Sequence, residues 1–266
     1  MKIAAVQMVS TPDVARNLEA AGRLVAEAAA AGAALVALPE YFCLLGRRDT
    51  DKLEHAEAPG QGPIQDLLAA AARRHGIWLV GGTLPLHSGE GGRVLNSNGV
   101  WAPDGTLAAR YDKIHLFAFD NGREQYDEGR TLAAGSTPVA LQAGPLRLGL
   151  SVCYDLRFPE LYRALMQPPC DLLSVPSAFT WTTGRAHWET LLRARAIENQ
   201  CYVIAPAQGG THENGRRTWG HSLVVDPWGE VVAVREEGEG VVLAEVDTER
   251  IAQVRAQLPA LRHRRL

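Results

Sequence analysis

Residues 146–161 read LRLGLSVCYDLRFPEL, an apolar run that delivers Cys153 straight into a cluster of Tyr154, Asp155, Arg157 and Glu160. A packing cysteine belongs inside such a run, whereas one at its junction with charge is placed for chemistry. A free thiol, with a pKa of about 8.5, is mostly protonated at neutral pH, so a nucleophilic cysteine needs a base. Two other segments offer partners. ALPEYF carries Glu40 to the end of an apolar run, and YDKIHLF carries Lys113 to the end of an alternating one. A carboxylate starting at a pKa of about 4.3 becomes a useful base once burial raises it. An ammonium makes the thiolate less costly and hydrogen-bonds the oxyanion formed on attack, together with a backbone N–H just after the cysteine. Losing one such donor typically costs about 3 kcal/mol of transition-state stabilisation. The set suits attack of sulfur on a carbonyl or nitrile carbon.

Strand ends must bring these groups together, because open α/β architectures put reacting groups on loops beyond the strand C-termini. KIAAVQM reads as a strand, residues 13–31 as a helix ended by Gly32, and ALVALP (34–39) as a buried strand. A second helix spans 64–75 and leads to the strand IWLVGGTL. NSNGVWAPDGTLAARYDKIHL reads as two strands around a Pro103-Asp104-Gly105 turn. The second half repeats this order. ALVALPEYF (34–42) aligns without gaps on DLLSVPSAF (171–179), KIAAVQM answers to LRLGLSVCYD, and GIWLVGGTLP to QCYVIAPAQG. The first hairpin answers to GHSLVVDPWGEVVAVRE. The expected fold is one α/β domain over residues 1–266: a four-layer α-β-β-α sandwich of two similar halves about a pseudo-two-fold axis.

With Glu40, Lys113 and Cys153 in order and in these contexts, the chain resembles the nitrilase superfamily of carbon-nitrogen hydrolases over nearly its whole length. The resemblance implies that Glu40 is general base and then acid, Lys113 the oxyanion stabiliser, and Cys153 the nucleophile that forms a thioester while ammonia leaves. It further implies a second glutamate beside the lysine, Glu128 in YDEGRTLAAG, and an oxyanion donor at the Tyr154 backbone N–H. No metal or organic cofactor is needed, since the thiol does the covalent chemistry. Residues 176–230 resemble the deaminated glutathione amidase branch, sister to the omega-amidases, which implies a small carboxylate-bearing 2-oxo amide as substrate. Arg157, Phe179 and Thr183 are the expected substrate contacts, with Arg216 and Arg217 on loops that reach the same mouth. The segment FAFDNGREQYDEG departs from the family's loop at Ala118 and Phe119, which leaves the natural substrate least defined there.

Composition closes off other classes. Of 266 residues 46% are hydrophobic, and 27 basic against 30 acidic side chains give a net charge of −3, so no nucleic-acid or anionic-membrane surface is expected. No apolar stretch reaches the roughly 20 residues of a membrane span, and a cytoplasmic protein with four free thiols is the expectation. The eight histidines include no H-E-x-x-H, and His212 with His221 completes no ligand set. Taken singly, Glu40 reads as a turn cap, Lys113 as an edge-strand charge and Cys153 as a small strand-end residue; their joint occurrence makes the chemistry. The rivals are a Cys-His enzyme using His115, His187 or His221, an inactive binding module, and nitrile, carbamoyl or acyl-transfer substrates on the same sulfur. A homodimer or larger homo-oligomer is expected, with the apolar stretch Leu161 to Met166 facing a second copy.

Overall fold

The computed structural model describes residues 1–265. In the first half β1 (Lys2–Gln7), β2 (Leu35–Ala37) and β3 (Trp78–Val80) run parallel, with α1 (Val14–Ala30) and α2 (Pro63–His75) between them. The expected strand IWLVGGTL forms, but Gly81 and Gly82 break it into β3 and β4 (Leu84–His87). Both segments lie antiparallel to β5 (Val94–Trp101), whose hairpin partner is β6 (Leu107–Asp112). The second half follows the same plan. After the edge strand β7 (Ala140–Ala143), the strands β8 (Leu146–Leu150), β9 (Leu172–Ser174) and β10 (Tyr202–Ala205) are parallel. The hairpin β11 (Ser222–Val225) and β12 (Val231–Arg235) closes that sheet, while β13 (Gly240–Glu245) returns antiparallel to β1 as the outer edge of the first. Each sheet therefore reads antiparallel edge, three parallel strands, antiparallel hairpin.

Alternation along the strands builds the layers. Ile3 and Ala5 of β1 and Leu35 and Ala37 of β2 join Leu148 and Leu150 of the second sheet in one core cluster. Ala4, Val6 and Met8 face the other way, into a cluster with Leu24 and Val25 of α1 and Ile64 and Leu68 of α2. Trp188 and Leu192 of α4 (Trp181–Asn199) cover the second sheet. The result is the expected α-β-β-α sandwich.

One expectation is corrected. Leu161, Leu165 and Met166 are 4%, 3% and 4% exposed. They belong to α3 (Pro159–Ala164) and the turn after it, where helical spacing folds them into the chain's own core beside Tyr162. No apolar face is left there for a second copy.

Candidate active site

Cys153 follows the loop beyond β8 and opens the 3-10 helix Cys153–Arg157. Its φ of 48° lies in the left-handed region, which costs a residue with a Cβ about 1–3 kcal/mol and persists only where neighbours impose it. Here the Cys153 N–H donates to Pro176 O at 3.0 Å. The fully buried Asp155 fixes the turn by accepting from the Val152 N–H (2.8 Å), the Tyr111 hydroxyl (2.7 Å) and the His115 N–H (3.0 Å). His115 Nδ1 lies 2.7 Å from the same carboxylate and carries its hydrogen, because the carboxylate only accepts. One side chain thus ties the cysteine turn to the segment that runs through Lys113. The Asp155 N–H is spent on Val152 O, whereas the Tyr154 N–H lies in the first turn, where helical donors have no internal acceptor.

Glu40 sits in the loop beyond β2, and Gly82 lets that loop approach. A Cβ on Gly82, whose φ is +60°, would lie 2.2 Å from Pro39 O. Gly135 does the same behind Lys113, where a Cβ would stand 2.1 Å from Asp112 O. Glu40 is 1% exposed, and one oxygen, Oε1, accepts from Lys113 Nζ and Asn96 Nδ2, both at 2.9 Å. Oε2 accepts from the Ala178 N–H at 2.9 Å. Ala178 lies in PSAF, the counterpart of PEYF in the repeat, so the two equivalent loops meet at this carboxylate. Cys153 and this carboxylate line the same cavity. Lys113 also reaches Glu128, at 3.0 Å to Oε1 and 2.8 Å to Oε2, and Glu128 accepts further from the Tyr41 hydroxyl (2.8 Å) and the Phe117 N–H (2.7 Å).

The electrostatics sort the roles. Burial raises the Cys153 pKa well above that of an ordinary thiol, and Glu40 adds to this while Lys113 opposes it. The sulfur is therefore a protonated thiol at neutral pH. Burial also works against charge on Lys113, but Glu128 and Glu40 outweigh it and hold the ammonium protonated. Glu128 is held below the ordinary carboxylate range in spite of burial, by Lys113 first and then by the Phe117 and Tyr41 donors.

A narrow cavity opens on these groups, walled by Phe117, Tyr154, Phe179, Thr180, Thr183 and Arg216. Phe179 and Thr183 are part of that wall. Arg157 does not line the cavity; its guanidinium lies outside, 5.8 Å and 5.4 Å from the Tyr154 and Phe179 ring centroids, and meets His187 Nδ1 at 3.3 Å. Arg216 takes the lining position, at the turn of the hairpin strands Gly209–Thr211 and Arg217–Trp219. Asn96, Tyr41 and Asp155 were missed; Tyr41 and Asp155 adjoin residues already singled out, and Asn96 shares a hairpin with Lys113. Of the rival bases, His115 is bonded to Asp155, His187 to Arg157, and His221 stacks on Trp219. Among the described residues no group of three or more His, Cys, Asp or Glu is arranged to hold a metal ion.

A deaminated glutathione amidase of Synechocystis is 43% identical over 265 residues, 98% of this chain and 97% of that protein. An omega-amidase of Xenopus tropicalis is 39% identical over 99% of this chain and 95% of its own length. The crystal structure of Saccharomyces cerevisiae Nit3, a member of the nitrilase superfamily, superimposes with a TM-score of 0.90 and 32% identity over 100% of this chain and 97% of that one. The family model described as carbon-nitrogen hydrolase matches residues 2–256, and the chain belongs to that family of hydrolases acting on carbon-nitrogen bonds.

Proposed function

We propose that this chain, acting as one domain, cleaves the amide of a small 2-oxo dicarboxylate through a thioester on Cys153. Glu40 takes the thiol proton as sulfur attacks the amide carbon, and the carbonyl oxygen becomes an oxyanion held by Lys113 Nζ and the Tyr154 N–H. Lys113 gives three contacts to two carboxylates, and merging its paired contacts to Glu128 into one releases a hydrogen for the oxyanion. Glu40 returns its proton to the leaving nitrogen as the C–N bond breaks. It then deprotonates a water that attacks the thioester, which releases the acid and restores the thiol. The observation that carries this reading is the buried Glu40–Lys113 ion pair, with Glu40 and Cys153 lining one cavity whose wall includes one arginine, Arg216. Phe179 and Thr183 are proposed substrate contacts, and Arg216 takes the carboxylate role expected of Arg157.

The names of the relatives favour deaminated glutathione, with 2-oxoglutaramate as second reading because of the omega-amidase. Their leaving groups differ. In deaminated glutathione the scissile amide joins a 2-oxoglutaryl group to cysteinylglycine, so the dipeptide departs; ammonia leaves only from the unsubstituted amide. The shared product, 2-oxoglutarate, is the right signal. We expect kcat/KM about a hundredfold higher for deaminated glutathione, about 2.7 kcal/mol of differential transition-state binding. A preference of that size for a nitrile or an N-carbamoyl amine would overturn the assignment, and an inert Cys153 with no turnover would favour a binding module.

The reading includes a cytoplasmic homodimer or larger homo-oligomer. The free, buried Cys43, Cys153, Cys170 and Cys201 suit a reducing compartment, and among the described residues no helix is long and apolar enough to cross a membrane. Sedimentation showing only monomer at micromolar concentration would contradict the assembly.

A further inference from the structure

Outside the catalytic cavity lies a wider vestibule, which shares Phe117, Glu128 and Arg216 with it. Four cations stand on its wall: Arg47, Arg48, Lys52 and Arg216. Arg48 is engaged by Asp51 at 2.8 Å and Glu54 at 3.2 Å. Arg47, Lys52 and Arg216 make no such ion pair among the described residues. The Lys52 ammonium lies 5.5 Å from the Tyr41 ring centroid. Arg216 gives one Nη2 hydrogen to Ala178 O at 3.1 Å, while its Nε is buried with no partner. Burial holds the Lys52 pKa below its ordinary value, and the charges of Arg216 and Lys113 add to this against Glu128 and Asp49. The Glu128 oxygens are already spent on Lys113, Tyr41 and Phe117. Asp49 and Asp127 share the wall, but neither forms an ion pair with Arg47, Lys52 or Arg216 among the described residues, so these three cations are left for an anion.

We infer that Lys52, with Arg47 beside it, binds a carboxylate on the leaving amine, so that the vestibule selects amides of acidic amines over free amides. This rests on the substrate class proposed above. A dipeptide leaving group extends about 7 Å, and the shared wall of Phe117, Glu128 and Arg216 leads from the cavity into the vestibule. Arg216, at the neck, stays with the acyl group.

The test compares two 2-oxoglutaryl amides of matched size, one of glycylglycine and one of glycine N-propylamide, on the wild-type enzyme and on Lys52→Met and Arg47→Met. Methionine keeps an unbranched stem over Tyr41 and removes the charge. The wild type should prefer the glycylglycine amide, and each variant should lose about tenfold in kcat/KM on it, about 1.4 kcal/mol, while the propylamide changes by less than about twofold. Equal losses on both amides would show that these residues act through the catalytic groups and would overturn the subsite. So would unchanged rates on both. A wild type inert toward both amides but active on a nitrile would instead overturn the substrate class itself.

Discussion

At the scale of residues, the account turns on a thiol that is protonated at rest and a carboxylate that receives its proton during attack. Because burial and Glu40 both raise the Cys153 pKa, the thiolate fraction grows only as pH climbs past the ordinary thiol value. Alkylation of Cys153 by iodoacetamide at pH 7 should therefore be slower than that of free cysteine and rise steeply on the alkaline side. Labelling faster than free cysteine at pH 7 would mean a preformed thiolate instead. Glu40→Gln keeps the shape and the contact to Asn96 but cannot take a proton. We expect kcat to fall by about 10²–10⁴, with the variant folded by circular dichroism. If most of the rate survives while a histidine substitution abolishes it, the base is the histidine.

At the scale of elements, two equivalent loops make the site. The alignment of PEYF with PSAF was legible because proline and phenylalanine bracket both, and the structure joins them through the Ala178 N–H and Glu40. The hairpin strands Ala118–Asp120 and Gln125–Asp127 were not legible, since three-residue strands of mixed polarity carry no period to read. Nor was the split at Gly81 and Gly82, whose reason is the neighbouring loop and not the strand itself. The position of Arg157 outside the cavity was not legible for a related reason. Closeness to Cys153 in sequence says nothing of which side of the turn a long side chain takes, and here aromatic rings hold it outside the cavity. Gly82→Ala tests the close approach. A Cβ 2.2 Å from Pro39 O must push the Glu40 loop away, so we expect a loss of about 2–4 kcal/mol in urea unfolding together with reduced kcat. Unchanged kcat would show that the glycine does not position Glu40.

At the scale of the whole molecule, the halves are tied by polar contacts as well as by the shared core. His212, in the second half, is 3% exposed; its Nδ1 donates to Ser10 O at 2.8 Å, and its Nε2 meets the Thr218 hydroxyl at 2.8 Å. Burial pushes its pKa down to about 4, with Arg216 acting in the same direction. Between that value and about 6.5 the unfolded chain binds the extra proton and the folded one does not, so stability falls as pH drops through this window, by about 3 kcal/mol. Urea unfolding at pH 7 and pH 4.5 should show most of this loss, and His212→Gln should flatten it. The claim on which everything depends is that both halves deliver their groups to one acyl-transfer step on Cys153. Hydroxylamine partitioning tests it most directly: two amides with the same acyl group and different amines are hydrolysed in the presence of hydroxylamine, and the ratio of hydroxamate to acid is measured. A common thioester predicts the same ratio for both amides. A ratio that changes with the leaving amine would contradict it.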